Sequence, residues 1–206
     1  MSSRPQRYTL NDVEVLETRR LYDGFYQMEA WTVQHATYQG EPMTIERELM
    51  CRMDAAVILL YDPVLDETVL VEQYRVGAHK APTPWLIECV AGLIDTDEQP
   101  ETVARREAME EAGVTPGRIE PICEYLPSPG GSNEKIHLYV GEVDASTAGG
   151  VHGLDHEGEE ILVHRVALDT ALDWLEQGHI NNAASIIGLQ WLAMNREHLR
   201  KRWRSE

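Results

Sequence analysis

The segment that decides the fold is AGLIDTDEQPETVARREAMEEAGV, residues 91–114. Its second half predicts a helix that begins near Pro100, since proline suits the first helical position, and that ends at the glycine before the final valine. Glu107, Glu110 and Glu111 stand at i, i+3 and i+4, so the helix places them on one face. Like charges repel at this spacing, and this helix end carries the negative end of the macrodipole. The acidic face is therefore unfavourable unless something compensates it.

A divalent cation would compensate the acidic face. Carboxylate oxygens suit hard ions such as Mg²⁺ or Mn²⁺, which keep several waters and share their coordination with substrate phosphates. An acidic helix that binds such an ion indicates phosphate-transfer or phosphate-hydrolysis chemistry. The alternative is a solvated charged face, which is the commoner origin of three acids at helical spacing. The spacing alone leaves both interpretations open.

Composition narrows the class of protein. The chain has 206 residues, 43% of them apolar, which is enough for a core in one domain or one and a half. A formal net charge of −17 argues against nucleic-acid binding and means that an anionic substrate needs a cation as intermediary. We find no run of about 18 apolar residues and no apolar signal region at the N-terminus, so we expect no membrane association and a cytoplasmic location. The three cysteines are far apart and form no CxxC pair, which predicts reduced thiols in the core.

The order of patterns along the chain predicts two domains. Between about residues 13 and 51, runs of strand length mix β-branched, aromatic and polar residues. Two apolar-rich runs, AAVILLYD and DETVLVEQYR, then predict the start of a mixed sheet. Helices at roughly 168–177 and 183–203 close the chain. We therefore predict a small β-rich domain over residues 1–53 and a larger domain of the α/β (α+β) class over residues 54–206.

The complete pattern in the opening segment is more specific than the spacing of its acids. It resembles the Nudix box at every fixed position, with the small Ala108 where an aliphatic residue is expected. The matching positions are Gly92, Glu98, Arg106, Glu107, Glu110, Glu111, Gly113 and Val114. This resemblance implies an α/β/α sandwich with a mixed sheet, and an enzyme that hydrolyses a nucleoside diphosphate linked to another moiety.

The same resemblance implies a metal site and a second acidic segment. Its metal would be Mg²⁺, with Mn²⁺ as a possible substitute, bound by the helix glutamates and often by the carbonyl of the residue before the glycine. Those ligands are Glu107, Glu110, Glu111 and Ala91, with Glu159 as a further ligand from the loop DHEGEE. Glu157 of that loop resembles the catalytic base, on a Gly-rich segment able to close over substrate. Read alone, this loop is a solvated acidic segment, and we assign no role to Asp155 or His156. Glu98 and Arg106 are expected to join loop and helix by an ion pair.

Motifs outside the box point to the substrate. TPWLIECVAGLID, SPGGSNEK, GVHGLDHEGEE and NNAASIIGLQWL resemble the branch of the Nudix family that hydrolyses ADP-ribose to AMP and ribose 5-phosphate. Pro129 resembles a mark of this branch, although loops are rich in proline. Two alternatives remain: another substrate such as GDP-mannose or a dinucleotide, or a catalytically silent module that binds ADP-ribose.

The resemblance also implies a homodimer whose N-terminal segment reaches the partner's substrate. Phe25 resembles an aromatic residue that stacks on adenine, although by itself it would be placed in the core. Arg75 suits a phosphate because of its bidentate fork, with a strand-edge ion pair as the alternative. The other substrate-binding positions are Arg47, Glu48, Arg52 and Glu134. We expect Trp85 and Trp191 to serve packing.

Overall fold

The structure is a computed structural model that describes residues 5–95, 97–154 and 158–204. The chain forms two compact units. The first comprises the described part of Met1–Arg52 together with Ser128–Glu134, and the second comprises Met53–Pro127 with the described part of Lys135–Glu206. The predicted boundary after residue 53 assigns residues 128–134 to the larger domain, whereas in the structure they belong to the first compact unit.

The first unit contains an antiparallel sheet of three strands in the order β1-β2-β3. The strands are β1 (Val13–Asp23), β2 (Gln27–His35) and β3 (Met43–Cys51). The predicted β-rich character of the N-terminal segment is confirmed. Strand β1 lies at the edge of this sheet, and all eleven of its residues are exposed.

The second unit is built on a mixed sheet. Its main path runs β10-β11-β5-β4-β9-β8, while β6 pairs with β5 and β7 pairs with β4. The strands are β4 (Ala55–Asp62), β5 (Glu67–Tyr74), β6 (Trp85–Glu88), β7 (Val90–Leu93), β8 (Ile119–Tyr125), β9 (Ile136–Glu142), β10 (Gly150–His152) and β11 (Ile161–Ala167). Among the strands of the described residues in this unit, β4 and β9 pair in parallel and the other pairs are antiparallel.

Helices cover both faces of this sheet. The helices are α1 (Pro100–Ala112), α2 (Leu168–Glu176) and α3 (Ala183–Arg204). All eight residues of β4 are buried, because alternate side chains enter two separate cores. Ile58 and Leu60 pack in the core that contains α1, whereas Leu59 and Tyr61 pack in the core that contains α2 and α3. The predicted α/β/α sandwich is confirmed.

Three smaller expectations can be compared directly with the structure. All three cysteines are free, and Cys89 is buried while the other two are partly buried. Trp191 packs against the core. The packing prediction was wrong for Trp85, which stands at the start of β6 and is 53% exposed. Its ring centroid lies 5.5 Å from that of Tyr74, which is itself exposed. Within the described residues, no helix combines the length and the apolar character needed to cross a membrane.

Candidate active site

Helix α1 begins and ends where its sequence predicts. Pro100 occupies the start, and Gly113 ends the helix with φ 67°, donating its N–H to the carbonyl oxygens of Ala108 and Met109. A side chain at Gly113 would also bring its Cβ within 2.5 Å of Cε1 of His152. Glycine is required here both for its left-handed backbone and for the space beside the histidine.

Small residues bring α1 close to the sheet. Ala104, Ala108 and Ala112 are fully buried against the strands. At Gly92 in β7, a Cβ atom would collide with the carboxyl group of Glu107. The alanines and this glycine therefore allow the acidic face of α1 to lie directly over the sheet. Position 108, where an aliphatic residue is expected, is fully buried in the same contact.

The close approach buries the carboxyl group of Glu111 and partly buries that of Glu107. Glu111 is 3% exposed, and its Oε2 accepts a hydrogen bond from the backbone N–H of Ala91 at 3.2 Å. Burial raises the pKa of Glu111 to about 8, against the opposing effect of that N–H; nearby Glu107 raises it further, and Arg75 opposes the rise. Burial likewise raises the pKa of Glu107 to about 7. Near neutral pH these two carboxyl groups therefore retain protons or require a cation.

Arg106 supplies part of the positive charge on this face. Its Nη1 lies 2.8 Å from Oε1 of Glu107 and 2.8 Å from Oε2 of Glu110. Its Nε lies 3.8 Å from Oε2 of Glu98, so the expected ion pair between loop and helix is present but is the longest of the three contacts. The sequence did not indicate that Arg106 would also bridge two predicted metal ligands.

The donor chemistry at this face fits a divalent cation. Glu159 precedes β11 and is close enough to raise the pKa of both Glu107 and Glu111. The carboxylate oxygens are hard donors, and their burial leaves negative charge that Arg106 only partly neutralises. In the described ranges, no three His, Cys, Asp or Glu side chains are already gathered into an arrangement that could hold a metal ion. The oxygen donors at this face are nevertheless of the kind that a divalent cation prefers.

Arg75 follows β5, and its Nε donates to Oε2 of Glu88 at 2.7 Å. The ion pair that the sequence allowed at this position is thus present. Gln73, two residues earlier, is buried, and Nε2 of its amide has no hydrogen-bond partner among the described residues. The sequence pattern does not indicate a role for Glu88 or Gln73, because their proximity depends on strand pairing.

The remaining predicted substrate contacts lie in the first unit. Phe25 is 77% exposed in the turn between β1 and β2, so it is not a core residue, and its ring centroid lies 4.9 Å from that of Tyr26. The Arg52 guanidinium stacks over the Tyr26 ring and pairs with Glu134 at 3.1 Å. Tyr26 therefore links Phe25 to Arg52, and Arg52 in turn contacts Glu134. The other candidates in this unit are exposed: Arg47, Glu48 and Pro129.

The predicted catalytic base lies outside the described residues. Glu157 falls in residues 155–157, as do Asp155 and His156. Two glycines flank this gap, Gly153 with φ 103° and Gly158 with φ 70°.

The family model for the NUDIX domain matches residues 52–189. This chain therefore belongs to the Nudix family, as its sequence motif indicated. Nudix hydrolases generally use divalent metal ions, in agreement with the acidic donors on α1.

Individual relatives are similar over nearly the whole chain. The chain is 46% identical to the ADP-ribose pyrophosphatase of Escherichia coli (strain K12) over 201 residues, which cover 97% of this chain and 96% of that protein. It is 35% identical to the GDP-mannose pyrophosphatase of Cronobacter sakazakii over 189 residues, with 89% and 96% coverage. A solved structure described as an ADP compounds hydrolase aligns with a TM-score of 0.70 over 95% of this chain and 98% of that one. Its sequence identity is 21%, so this last likeness concerns the fold alone.

Proposed function

We propose that this chain is a metal-dependent hydrolase that cleaves the diphosphate of ADP-ribose to give AMP and ribose 5-phosphate. The observation that carries this proposal is the 46% identity to an ADP-ribose pyrophosphatase across 97% of the chain. Identity to the GDP-mannose pyrophosphatase is 35% over 89% of the chain, which makes GDP-mannose the second candidate substrate. The intact Nudix box together with Glu157 favours hydrolysis over binding alone, because a module that only bound the nucleotide need not retain a base.

The metal in this proposal is Mg²⁺, with Mn²⁺ as a substitute. The residues that would hold it are Glu107, Glu110, Glu111, Glu159 and the carbonyl group of Ala91. Support comes from burial, since the raised pKa values of Glu107 and Glu111 reveal carboxyl groups without enough positive charge around them. When bound, such an ion would neutralise charge on the diphosphate.

The chain's own residues would bind the substrate and move the proton. We assign Glu157 as the base that accepts a proton from the attacking water, a contribution of about 10²–10⁴ in rate. Arg75 would bind phosphate oxygens through its fork, and Phe25 would stack on adenine. The other proposed substrate-binding residues are Arg47, Glu48, Arg52, Pro129 and Glu134.

A homodimer is part of the same proposal, with residues 1–53 as the dimerisation domain and residues 54–206 as the hydrolase domain. Strand β1 supports it, because an edge strand with eleven exposed residues invites pairing or burial by another chain. Several of these residues are apolar, including Val13, Val15 and Leu16. A partner that buries them would remove this exposed edge.

A substrate panel tests the proposed function. ADP-ribose, GDP-mannose and a dinucleotide diphosphate are incubated with the protein in Mg²⁺ and in chelator, and nucleoside monophosphate release is measured by chromatography. We expect the highest kcat/KM for ADP-ribose and no turnover in chelator. Preference for GDP-mannose would select the second candidate substrate. Binding of ADP-ribose without turnover of any compound would identify a silent binding module.

A further inference from the structure

Strand β5 carries a polar residue on the face that packs against α1. Val69 and Val71 belong to the core that contains α1, and alternate residues of a strand face the same side. Gln73 is the next residue on the face that carries Val69 and Val71. Arg75 follows on the same face, because the backbone of Arg75 is still extended, with φ −121° and ψ 112°. Gln73 is 6% exposed, and its Nε2 has no hydrogen-bond partner within the described parts of the chain. Buried amide donors are nearly always paired. The unpaired Nε2 of Gln73 therefore indicates that a ligand supplies the acceptor.

A neighbouring strand places a carboxylate beside this amide. In the pairing of β5 with β6, Val71 is opposite Glu88 and Gln73 is opposite Leu86, so Glu88 and Gln73 are diagonal neighbours on one face. The same register continues to Arg75, whose N–H donates to the carbonyl oxygen of Pro84. Because Nε of Arg75 also donates to Glu88, which is opposite Val71, the arginine side chain extends back along β5 on the face that Gln73 shares.

The ion pair leaves the arginine available to a ligand. The Glu88 side chain is 14% exposed, whereas that of Arg75 is 41% exposed, so the glutamate side chain is largely enclosed and the arginine side chain is accessible. Glu88 binds Nε, and no described residue is seen to accept a hydrogen bond from the two terminal nitrogens of Arg75. Arg75 also lies close enough to Glu111 to lower its pKa against the effect of burial, which places it beside the acidic face of α1. A guanidinium fixed in this way presents two parallel donors that match the oxygens of a phosphate.

We propose that Gln73 and Glu88 complete a phosphate-binding subsite around Arg75. This inference rests on the proposed function, since its ligand is one phosphate of the ADP-ribose diphosphate. Glu88 is a positioning residue, which orients the guanidinium through Nε so that both terminal nitrogens face the ligand. Gln73 donates an amide N–H to a phosphate oxygen. The terminal torsion of glutamine is broad, so the amide can turn toward the ligand without movement of the strand.

Gln73→Met tests the amide, because methionine keeps the length of the side chain and removes the donor. Calorimetric titration with ADP-ribose in chelator should show a Kd raised by about threefold to tenfold, the range expected for one hydrogen bond. The Tm of the ligand-free variant should be equal to or higher than that of wild type, since a buried donor without a partner has been removed. A structural residue cannot give this combination. An unchanged Kd, or a higher Kd accompanied by a lower Tm, would overturn the role of Gln73.

A double-mutant cycle tests Glu88. In the wild-type background, Glu88→Gln should raise the Kd for ADP-ribose by about tenfold, because the guanidinium loses its charged anchor. In an Arg75→Lys background the same change should alter the Kd by less than about twofold, because lysine has no Nε to be anchored. Equal effects in both backgrounds would show that Glu88 acts independently of Arg75 and would overturn the subsite.

Glu72→Gln is the matched control. Glu72 lies on the opposite face of the same strand, and its carboxylate contacts His164 Nε2 at 2.7 Å. The Kd should therefore stay at the wild-type value, and an increase as large as that of Glu88→Gln would overturn the assignment.

The titrations involve no turnover, so they separate the proposed subsite from the proposed function. If wild type hydrolyses ADP-ribose but does not bind it in chelator, or binds it without sensitivity to these variants, the subsite alone fails. If the panel selects GDP-mannose, the proposed substrate fails and the cycle is run with GDP-mannose, which also carries a diphosphate.

Discussion

Replacement of Glu111 by glutamine should change the stability of the metal-free protein, relative to wild type, increasingly in favour of the variant as the pH rises. The folded pKa of Glu111 is about 8, compared with an ordinary value of 4.5. Between these two values the folded protein binds more protons at this site than the unfolded chain does. Stability contributed by this carboxyl group is therefore greatest below pH 4.5 and falls as the pH rises toward 8. Glutamine carries no titratable proton, so residue 111 of the variant contributes no such decrease in folding stability as the pH rises.

The size of the effect follows from these two pKa values. Proton linkage at Glu111 costs the wild type about 3 kcal/mol at pH 7 and about 1 kcal/mol at pH 5. Glutamine can keep the hydrogen bond from the Ala91 N–H, but its own buried NH₂ group costs about 1–3 kcal/mol at both pH values if it has no acceptor. The quantity to measure is therefore the difference in stability between variant and wild type at pH 7, minus the same difference at pH 5. It should be about 2–2.5 kcal/mol in favour of the variant.

Urea unfolding in chelator at pH 5 and pH 7 measures this quantity. Glu197→Gln is the control, because Glu197 is exposed on α3 and its replacement should show no comparable dependence on pH. In excess Mg²⁺ the order should reverse, since ligand binding stabilises the wild type and the variant has lost a charged ligand. A stability difference in chelator that does not change between pH 5 and pH 7 would refute the account of Glu111 as a buried carboxyl group that needs a cation.

Four other predictions concern the same site and its substrate. Mg²⁺ binding at pH 7 should release about 1.4 protons, about 0.9 from Glu111 and 0.5 from Glu107, as measured by calorimetry in buffers of different ionisation enthalpy; release near zero would contradict the raised pKa values. Phe25→Ala should raise KM for ADP-ribose more than it lowers kcat, and an unchanged KM in steady-state kinetics would count against adenine stacking. Glu157→Gln should lower kcat by about 10²–10⁴ while Mg²⁺ affinity in calorimetry is preserved, whereas Glu159→Gln should weaken Mg²⁺ binding; near-normal turnover of Glu157→Gln would reassign the base. Light scattering should show a homodimer, and a fully active monomer at low concentration would exclude the shared site.

The features that the sequence predicted correctly are those with local causes. Pro100 and Gly113 set the ends of α1 through the backbone conformations that they favour, and Ala104, Ala108 and Ala112 recur with the helical period. The apolar run of β4 similarly reflects burial on both faces. Each of these signals lies within a few residues of the structure that it specifies, so no knowledge of distant contacts was needed.

Some features that the sequence did not reveal depend on pairing between distant segments, and others depend on the placement of a single side chain. Gln73 and Glu88 become neighbours only through the register of β5 and β6, which a strand pattern does not fix. Phe25 shows a related problem, because an aromatic residue in a turn can be buried or exposed and its type does not distinguish the two. Arg106 was expected to contact Glu98, yet its flexible side chain lies closer to Glu107 and Glu110 on its own helix.

The packing of α1 explains why an acidic face can stand at the unfavourable end of a helix. The alanine stripe and Gly92 let α1 lie close to the sheet, and this closeness removes water from Glu111 and Glu107. A carboxyl group exposed on a helix surface would lose only a few tenths of a kcal/mol to its neighbours, and water would screen its charge. The buried groups instead have pKa values near neutrality, so a cation can displace their protons at modest cost. The small residues that stabilise the core therefore also give the acidic face the enclosed carboxyl groups that suit a metal ion. The alanine stripe and the glutamates thus contribute to the same feature of the fold.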